Sequence, residues 1–158
     1  MPGLAGGRKD RRRLARESEM RQFTETFEIR SAGRGLVEVT RIVTQWAEAQ
    51  GLGAGLLTLF CRHTSASLLI QENAAHEVRT DLEAFFERVA PENGARYAHD
   101  DEGPDDMPAH IRAALTNVSL SIPLARGRLA LGAWQGIYLF EHRRAPHRRE
   151  IAAHLIGE

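Results

Sequence analysis

The ordered part of the chain opens with alternating side chains. From about Arg21 onward β-forming residues dominate, and one set of alternate residues is interleaved with Thr24, Thr26 and Glu28. The members of that set are Phe23, Glu25, Phe27 and Ile29. A period of two is typical of a β-strand. The glycines in residues 33–35 then indicate a turn, and residues 36–39 predict a second, short strand.

Three segments instead carry apolar residues at helical spacing. The first follows Thr40, a residue type that caps helix N-termini. Its apolar face holds Ile42, Val43, Trp46 and Ala47. The second ends before Pro91, and its apolar positions are Val78, Leu82, Phe85, Phe86 and Val89. The third is short, with Pro108 in its first turn, and it carries His110.

The remaining apolar segments predict strands. Residues 55–61 are a nearly continuous apolar run bounded by glycine, which indicates a buried strand, and residues 67–70 predict another. After the third helix the strand pattern returns at residues 118–124, 129–131, 136–140 and 151–155. Because the last third of the chain has no helix, a doubly wound parallel sheet is excluded. We predict an α+β protein, a β-rich antiparallel sandwich with two or three outer helices.

Composition limits the classes of partner and compartment. The chain has 158 residues and a formal net charge of zero, so it suits one domain and gives no global attraction to nucleic acid or membrane. Residues 1–20 are glycine-rich and basic, which predicts a flexible tail ahead of a single domain over residues 21–158. One cysteine, Cys61, excludes an internal disulfide. Without a membrane-length apolar run or a secretory signal, we expect a cytoplasmic protein.

Histidines supply the strongest candidate chemistry. His63 follows a buried strand and is succeeded by small residues that let a ligand approach the backbone. His99 and His110 flank a loop with five carboxylates between Asp100 and Asp106. Such a loop repels itself unless a cation offsets it, and imidazoles beside carboxylates are common metal donors. The spacing matches no local zinc signature, so an exposed acidic loop is an equally good interpretation.

Two later segments are also candidates. Residues 132–137 interrupt a strand with two glycines, which indicates a bulge; there Gln135 can place an amide in a pocket, while we expect Trp134 to lie in the core. Residues 141–149 are strongly basic. Arg148 and Arg149 in this segment could bind phosphate, but a solvated hairpin tip or a subunit contact would also explain them.

Short motifs occur in a distinctive order along the chain. They are HTSAS at residues 63–67 with QEN at 71–73, DL at 81–82, YAHD at 97–100 with EG at 102–103, AHI at 109–111, GRL at 127–129, LGAWQGI at 131–137, and EHR at 141–143 with PHRR at 146–149. In this order they resemble the YjbQ-like family of uncharacterised proteins, some of which are described as secondary thiamine-phosphate synthases. The resemblance covers about residues 22–158, and Ala133 and Ser65 stand where many members have Thr.

The resemblance implies a jelly-roll-like sandwich, a homotrimer and a histidine-lined pocket that takes a metal or an anion. It implies a transferase that joins a pyrimidine diphosphate to a thiazole phosphate and releases pyrophosphate. We predict that a divalent ion, zinc or magnesium, is bound by His63, His99 and His110. The predicted catalytic residues are His63, Asp81, Glu102 and Glu141. The predicted substrate-binding residues are Thr64, Ser67, Asn73, Gln135, Arg148 and Arg149.

Two other functions fit the sequence. One is a non-catalytic trimer that binds a metal or a small ligand. The other is a nucleic-acid accessory protein that uses the basic tail and the turn at residues 143–149. Because few aromatic residues are interleaved with the basic ones, we do not expect nucleic acid to be the partner.

Overall fold

The computed structural model describes residues 19–93 and 96–158, and within them the chain forms eight strands and three helices. The strands are β1 (Arg21–Ser31), β2 (Gly35–Glu38), β3 (Ala54–Cys61), β4 (Ala66–Glu72), β5 (Ser119–Ala125), β6 (Arg128–Leu129), β7 (Gln135–Glu141) and β8 (His147–Gly157). The helices are α1 (Thr40–Ala49), α2 (His76–Val89) and α3 (Asp106–Leu115). Of the predicted tail, residues 1–18 lie outside the described residues.

The strands form two sheets in which every pairing is antiparallel. The larger sheet has the order β1-β8-β3-β5-β6, and the smaller has the order β2-β7-β4. Strand β8 lies between β1 and β3, and β7 lies between β2 and β4. The prediction of a mixed α+β, antiparallel, β-rich fold is therefore confirmed. The jelly-roll arrangement stays a prediction.

One hydrophobic core lies between these elements. Alternate residues of β3 and β8 point into it, because successive side chains of a strand face opposite sides. The buried side chains of these two strands are Leu57, Leu59, Cys61, Ile151, Ala153 and Leu155. Ile137 and Leu139 of β7 join the same core, as do Val43 and Ala47 of α1. The two sheets and α1 thus share one core, as a single domain requires.

Helices α2 and α3 pack at the smaller sheet, and α1 contacts both sheets. Helix α1 contacts β6 and β7, α2 contacts β2, and α3 contacts β4. On the larger sheet, the outward side chains of β3 stay open, with Leu56 41% exposed and Phe60 47% exposed. Over residues 19–93 and 96–158, none of the helices is long and apolar enough to cross a membrane.

Two residues lie in places other than those the sequence predicts. Thr40 is the first residue of α1 and makes no capping bond. Its hydroxyl instead accepts a hydrogen bond of 2.9 Å from the amide of Ile137, so it attaches the helix start to β7. Trp134 is not in the core: it lies in the turn before β7, and 67% of it is exposed. A turn residue does not take part in the inward alternation of a strand, which is why its side chain faces solvent.

Candidate functional site

A histidine–aspartate–histidine group lies at the start of α3. The Nε2 atom of His99 donates a hydrogen bond of 2.7 Å to Oδ2 of Asp106. The Nε2 atom of His110 lies 3.2 Å from the same oxygen. Asp106 and His110 are four residues apart on α3, a spacing that places both side chains on one helical face. One ligand atom from each residue lies within 4.8 Å of the other two.

Hydrogen bonding fixes the proton position on His110. Its Nδ1 lies 3.0 Å from the carbonyl oxygen of Thr64, and a carbonyl can only accept, so Nδ1 carries the proton. In a neutral imidazole the Nε2 atom is then a lone-pair donor. In that neutral form, Nε2 of His110 and Oδ2 of Asp106 would be two acceptors facing each other at 3.2 Å, whereas a protonated ring donates a hydrogen bond to Oδ2. Two acceptors repel each other unless a proton or a cation lies between them.

Arg143 anchors the carboxylate oxygen of Asp106 that faces away from the two imidazoles. The Nη1 atom of Arg143 donates a hydrogen bond of 2.6 Å to Oδ1 of Asp106, and its Nε donates one of 3.2 Å to Oδ2 of Asp105. Burial alone would raise the pKa of Asp106, but the hydrogen bond from His99 and the positive charges of His110 and Arg143 outweigh burial and lower it. The carboxylate therefore stays charged and keeps Oδ2 turned toward the two imidazoles.

The donor set suits a divalent cation. It offers two imidazole nitrogens and one carboxylate oxygen, the ligand types found in catalytic zinc sites. Ligand atoms around a tetrahedral zinc lie about 3.4 Å apart, which follows from metal–ligand bonds of about 2.1 Å. The separation of 3.2 Å between His110 Nε2 and Asp106 Oδ2 is close to that spacing, whereas the 2.7 Å between His99 Nε2 and the same oxygen is a hydrogen-bond distance that would widen around a metal. A histidine that binds a metal through one ring nitrogen usually donates a hydrogen bond from the other nitrogen to a carbonyl or carboxylate, as His110 Nδ1 does here.

His63 lies in the adjoining pocket instead of in this group. The pocket has a volume of about 400 Å³ and is lined by His63, Thr64, Ala66, His110, Ala113, Ala114, Thr116 and Val118. The Nε2 atom of His63 accepts a hydrogen bond of 2.7 Å from the Glu150 amide, so the free nitrogen Nδ1 bears a proton. Burial and then the charge of Arg149 lower the pKa of His63, which favours this neutral form. The structure thus groups Asp106, and not His63, with His99 and His110.

Glu141 and Arg149 form a buried ion pair below the pocket. Glu141 is fully buried, and Arg149 donates to both of its oxygens, at 2.7 Å from Nε and 2.6 Å from Nη2. Ser31 donates a further bond of 2.8 Å to the carboxylate, and the same Nη2 reaches the Ser65 hydroxyl at 3.0 Å. Burial would raise the pKa of Glu141, yet the bonds from Arg149, the Arg143 amide and Ser31 lower it. With its oxygens occupied, Glu141 is placed to hold the strand ends together.

Other predicted site residues are distributed around this centre. Glu102 is at its edge, where its carbonyl accepts a bond of 2.9 Å from Arg143. Arg148 makes two bonds of 2.6 Å to the exposed carboxylate of Glu28, so its charge is already paired. Asp81 is exposed on α2 and is not part of the group.

Ser67 belongs to a buried hydroxyl–imidazole chain. Its Oγ lies 2.8 Å from Nε2 of His142 and 2.6 Å from Oγ1 of Thr116, at the end of α3. His142 is fully buried, and burial together with the charge of Arg112 lowers its pKa to about 3. This series of hydrogen bonds joins β4, the residue after β7 and the end of α3. It therefore fixes the helix that carries His110.

Asn73 and Gln135 lie at the opposite end of the smaller sheet. Gln135 pairs with Glu72 at the far end of β4, whereas Ala66, at the near end, lines the histidine pocket. The six residue steps from Ala66 to Glu72 span about 20 Å at roughly 3.3 Å per residue. Within one chain the predicted substrate-binding residues therefore fall into two separate places.

Sequence reasoning missed Asp106, Arg143, Thr116 and His142. The Asp106–His110 pair had a detectable signal, because an aspartate and a histidine four apart at a helix start face the same way. The contact of Arg143 with Asp106 joins residues 37 apart in the chain and has no local signal.

Fold and site together define a small, β-rich α+β protein with a histidine–carboxylate pocket where α3 meets β4. The chain belongs to the UPF0047 YjbQ-like family, whose model matches residues 25–158. It is 48% identical to a UPF0047 protein of Synechocystis, over 92% of this chain and 99% of that one. It is 44% identical to the UPF0047 protein YjbQ of Escherichia coli O157:H7, over 86% and 99%.

Solved structures agree with the fold. A YbjQ-like protein of unknown function from Sulfolobus solfataricus has a TM-score of 0.81 at 22% identity, covering 89% of this chain and 100% of that one. An uncharacterised YjbQ/UPF0047 family protein from Clostridium acetobutylicum has a TM-score of 0.75 at 32% identity, covering 82% and 97%. These relatives establish the family and its architecture.

Proposed function

We propose that the protein binds a divalent metal ion at His99, Asp106 and His110 and acts on a phosphorylated small molecule in the adjoining pocket. The observation that carries this proposal is that one ligand atom each from His99, Asp106 and His110 lies within 4.8 Å of the other two, with Nδ1 of His110 bonded to a backbone carbonyl. Zinc suits two imidazoles better than magnesium, which prefers oxygen ligands.

The specific reaction that we propose is of the thiamine-phosphate-synthase type. The thiazole nitrogen would form a bond to the pyrimidine methylene carbon while the bond from that carbon to the diphosphate oxygen breaks, releasing pyrophosphate. A metal ion, when bound, supplies positive charge to the departing diphosphate. The His63 Nδ1–H and the Thr64 hydroxyl would donate hydrogen bonds to the ligand, since His63 and Thr64 line the pocket.

The alternative is a metal- or ligand-binding protein without catalysis. It is favoured by the pairing of the arginines that would otherwise receive pyrophosphate: Arg149 is bonded to Glu141 and Arg148 to Glu28. Glu141 is likewise committed to four hydrogen bonds, from Arg149, Ser31 and the Arg143 amide, and has little freedom to act as a base.

In both versions we propose a homotrimer. Its support is the open outer side of β3, where the exposed Leu56 and Phe60 lie beside Ile156 and Ala152 of β8. Exposed apolar side chains on a sheet face are typical of a subunit contact. Val118, also exposed, extends this patch to the rim of the histidine pocket, which it lines.

Metal analysis followed by a product assay tests the proposal. We expect purified protein to bind zinc stoichiometrically and the His99→Ala and Asp106→Asn variants to lose that zinc. The His76→Ala variant, which alters an exposed histidine on α2, should keep it. Release of pyrophosphate from a pyrimidine diphosphate and a thiazole phosphate, abolished in His110→Ala, would support the transferase. Metal binding without turnover would support the alternative, and equal metal content in all variants would refute both.

A further inference from the structure

The exposed indole of Trp134 lies at a second pocket, at the far end of the smaller sheet. This pocket has a volume of about 560 Å³ and is lined by Gln71, Glu72, Ala74, Trp134 and Gln135. The backbone of Trp134 is fixed, because its carbonyl accepts a bond of 3.0 Å from the Asn73 amide. The indole, 67% exposed on this fixed backbone, offers a free face for stacking.

Two carboxamides in this pocket are oriented by the local backbone. The Oε1 atom of Gln71 accepts a bond of 2.9 Å from the Glu72 amide. The Oε1 atom of Gln135 accepts one of 2.8 Å from the Gly132 amide. Each side-chain oxygen is thereby occupied, and each NH₂ group is left to donate. Within residues 19–93 and 96–158, neither NH₂ group donates to another protein atom.

Glu72 supplies the complementary acceptor. Its Oε1 accepts a long bond of 3.3 Å from the Ala75 amide at the start of α2, which leaves Oε2 for a ligand. The pocket therefore offers an aromatic face, an amide donor from Gln135 and a carboxylate acceptor from Glu72, which pairs with Gln135 across β4 and β7; Gln71, next to Glu72 on β4, faces the other side of the sheet. A planar ligand with a carbonyl next to a ring N–H matches that pattern, because the carbonyl accepts from an amide and the N–H donates to the carboxylate.

We propose that this pocket binds a heteroaromatic ring carrying a lactam group, as in uracil or guanine. Trp134 stacks on the ring, Gln135 donates to a ring carbonyl oxygen, and Glu72 accepts the adjacent ring N–H. The site is separate from the histidine pocket within one chain, since the two lie at opposite ends of β4. The proposal does not depend on metal binding or on transferase activity.

Fluorescence of Trp134 gives a direct test. The chain has two tryptophans, and in the Trp46→Phe variant Trp134 is the sole indole. We expect uridine or guanosine to quench its emission saturably at millimolar concentrations. Uridine methylated at ring N3, which has lost its N–H, should bind at least several-fold more weakly. Calorimetric titration of the wild-type chain with the same probes gives the affinity without the Trp46 substitution.

Substitutions identify the residues responsible. Trp134→Ala should weaken binding by about five- to a hundredfold, the range that stacking on one aromatic side chain supplies. Glu72→Gln should abolish the preference for uridine over its N3-methylated form. Phe85→Ala, which removes another exposed aromatic residue on α2, should bind like the wild type. The proposal is overturned if neither nucleoside binds, if N3-methylation has no effect, or if Trp134→Ala changes the oligomeric mass while leaving nucleoside affinity intact.

Discussion

Arg143 and Asp106 are joined by a hydrogen bond of 2.6 Å between Nη1 and Oδ1, so one oxygen of the aspartate is fixed while the other faces two imidazoles. The arginine follows the end of β7 and the aspartate begins α3. A carboxylate anchored in this way presents a single oxygen in a defined direction, which is how outer residues orient metal ligands.

Replacing that anchor should weaken metal binding. We expect Arg143→Gln to bind zinc about 10- to 100-fold more weakly than the wild type, because loss of an outer partner disorders the ligand it holds. Competition against a chromophoric chelator measures the affinity. Arg148→Gln is the matched control, since among residues 19–93 and 96–158 the ion-pair partner of Arg148 is the exposed Glu28. Unchanged zinc affinity in Arg143→Gln would show that Asp106 does not need its anchor.

The buried pair of Glu141 and Arg149 should dominate stability near the site. Arg149→Met leaves a fully buried carboxylate without its cation, which costs about 3–5 kcal/mol of unfolding free energy. Arg148→Met, next along the strand, breaks an exposed pair and should cost less than about 1 kcal/mol. Urea denaturation measures both. The double variant Glu141→Gln/Arg149→Met should recover part of the loss. Similar losses of unfolding free energy in Arg149→Met and Arg148→Met would contradict the structure.

Acid sensitivity above pH 4.5 should depend on His142. Its pKa of about 3 in the folded chain lies below the unfolded value of 6.5, so the unfolded state binds more protons between those values and stability falls as pH falls. From pH 6.5 to 4.5 we expect a loss of roughly 2 kcal/mol, because each pH unit is worth about 1.4 kcal/mol per proton. The lowered pKa values of Asp106 and Glu141 act mainly below this window.

His142→Gln tests this dependence, because an amide can still bond to Ser67. Its unfolding free energy, measured in urea at several pH values, should change less between pH 6.5 and 4.5 than that of the wild type. His63, whose pKa is also lowered, keeps a smaller residual slope in the variant. His154→Gln, a change at the sheet surface, should retain the full slope. Parallel curves for the wild type and His142→Gln would mean that the imidazole titrates normally.

The open face of β3 should carry the subunit contact. We expect Phe60→Glu to dissociate a trimer into monomers, because a charge there would be buried without a partner. Light scattering after gel filtration measures the mass. Val89→Glu alters a similarly exposed apolar residue on α2 and should leave the mass unchanged. A wild-type chain that already elutes as a monomer would remove the trimer from the proposed function.

Local patterns in the sequence predicted most of the elements, because strand and helix periods are set by neighbouring residues. The alternation around Phe27 and the apolar run ending at Cys61 both correspond to strands. The environment of single residues was harder to predict. Trp134 was assigned to the core from its type, but a tight turn holds it outside. Thr40 was assigned to a cap, but a distant strand, β7, occupies its hydroxyl.

The candidate site was predicted in location more than in composition. His99 and His110 come together as their flanking positions suggested, whereas the third member is Asp106. His63 is separated from them by its own bond to the Glu150 amide, a contact between residues 87 apart that no spacing rule anticipates. The charged neighbours of Glu141 and Asp106 are likewise set by how β7, β8 and α3 meet.

The last residue of β7 and the two residues that follow it each bind a different element. Glu141 holds Arg149 on β8, His142 holds Ser67 on β4, and Arg143 holds Asp106 on α3. Each contact joins two different elements, and two of the three join positions 37 and 75 residues apart in the chain. A substitution at one end of such a contact is therefore poorly tolerated unless its counterpart changes too. Divergence of this family should therefore proceed by paired replacements at these three contacts. Chimeras that exchange residues 135–143 alone between distant members should fold poorly until the partner positions are exchanged with them.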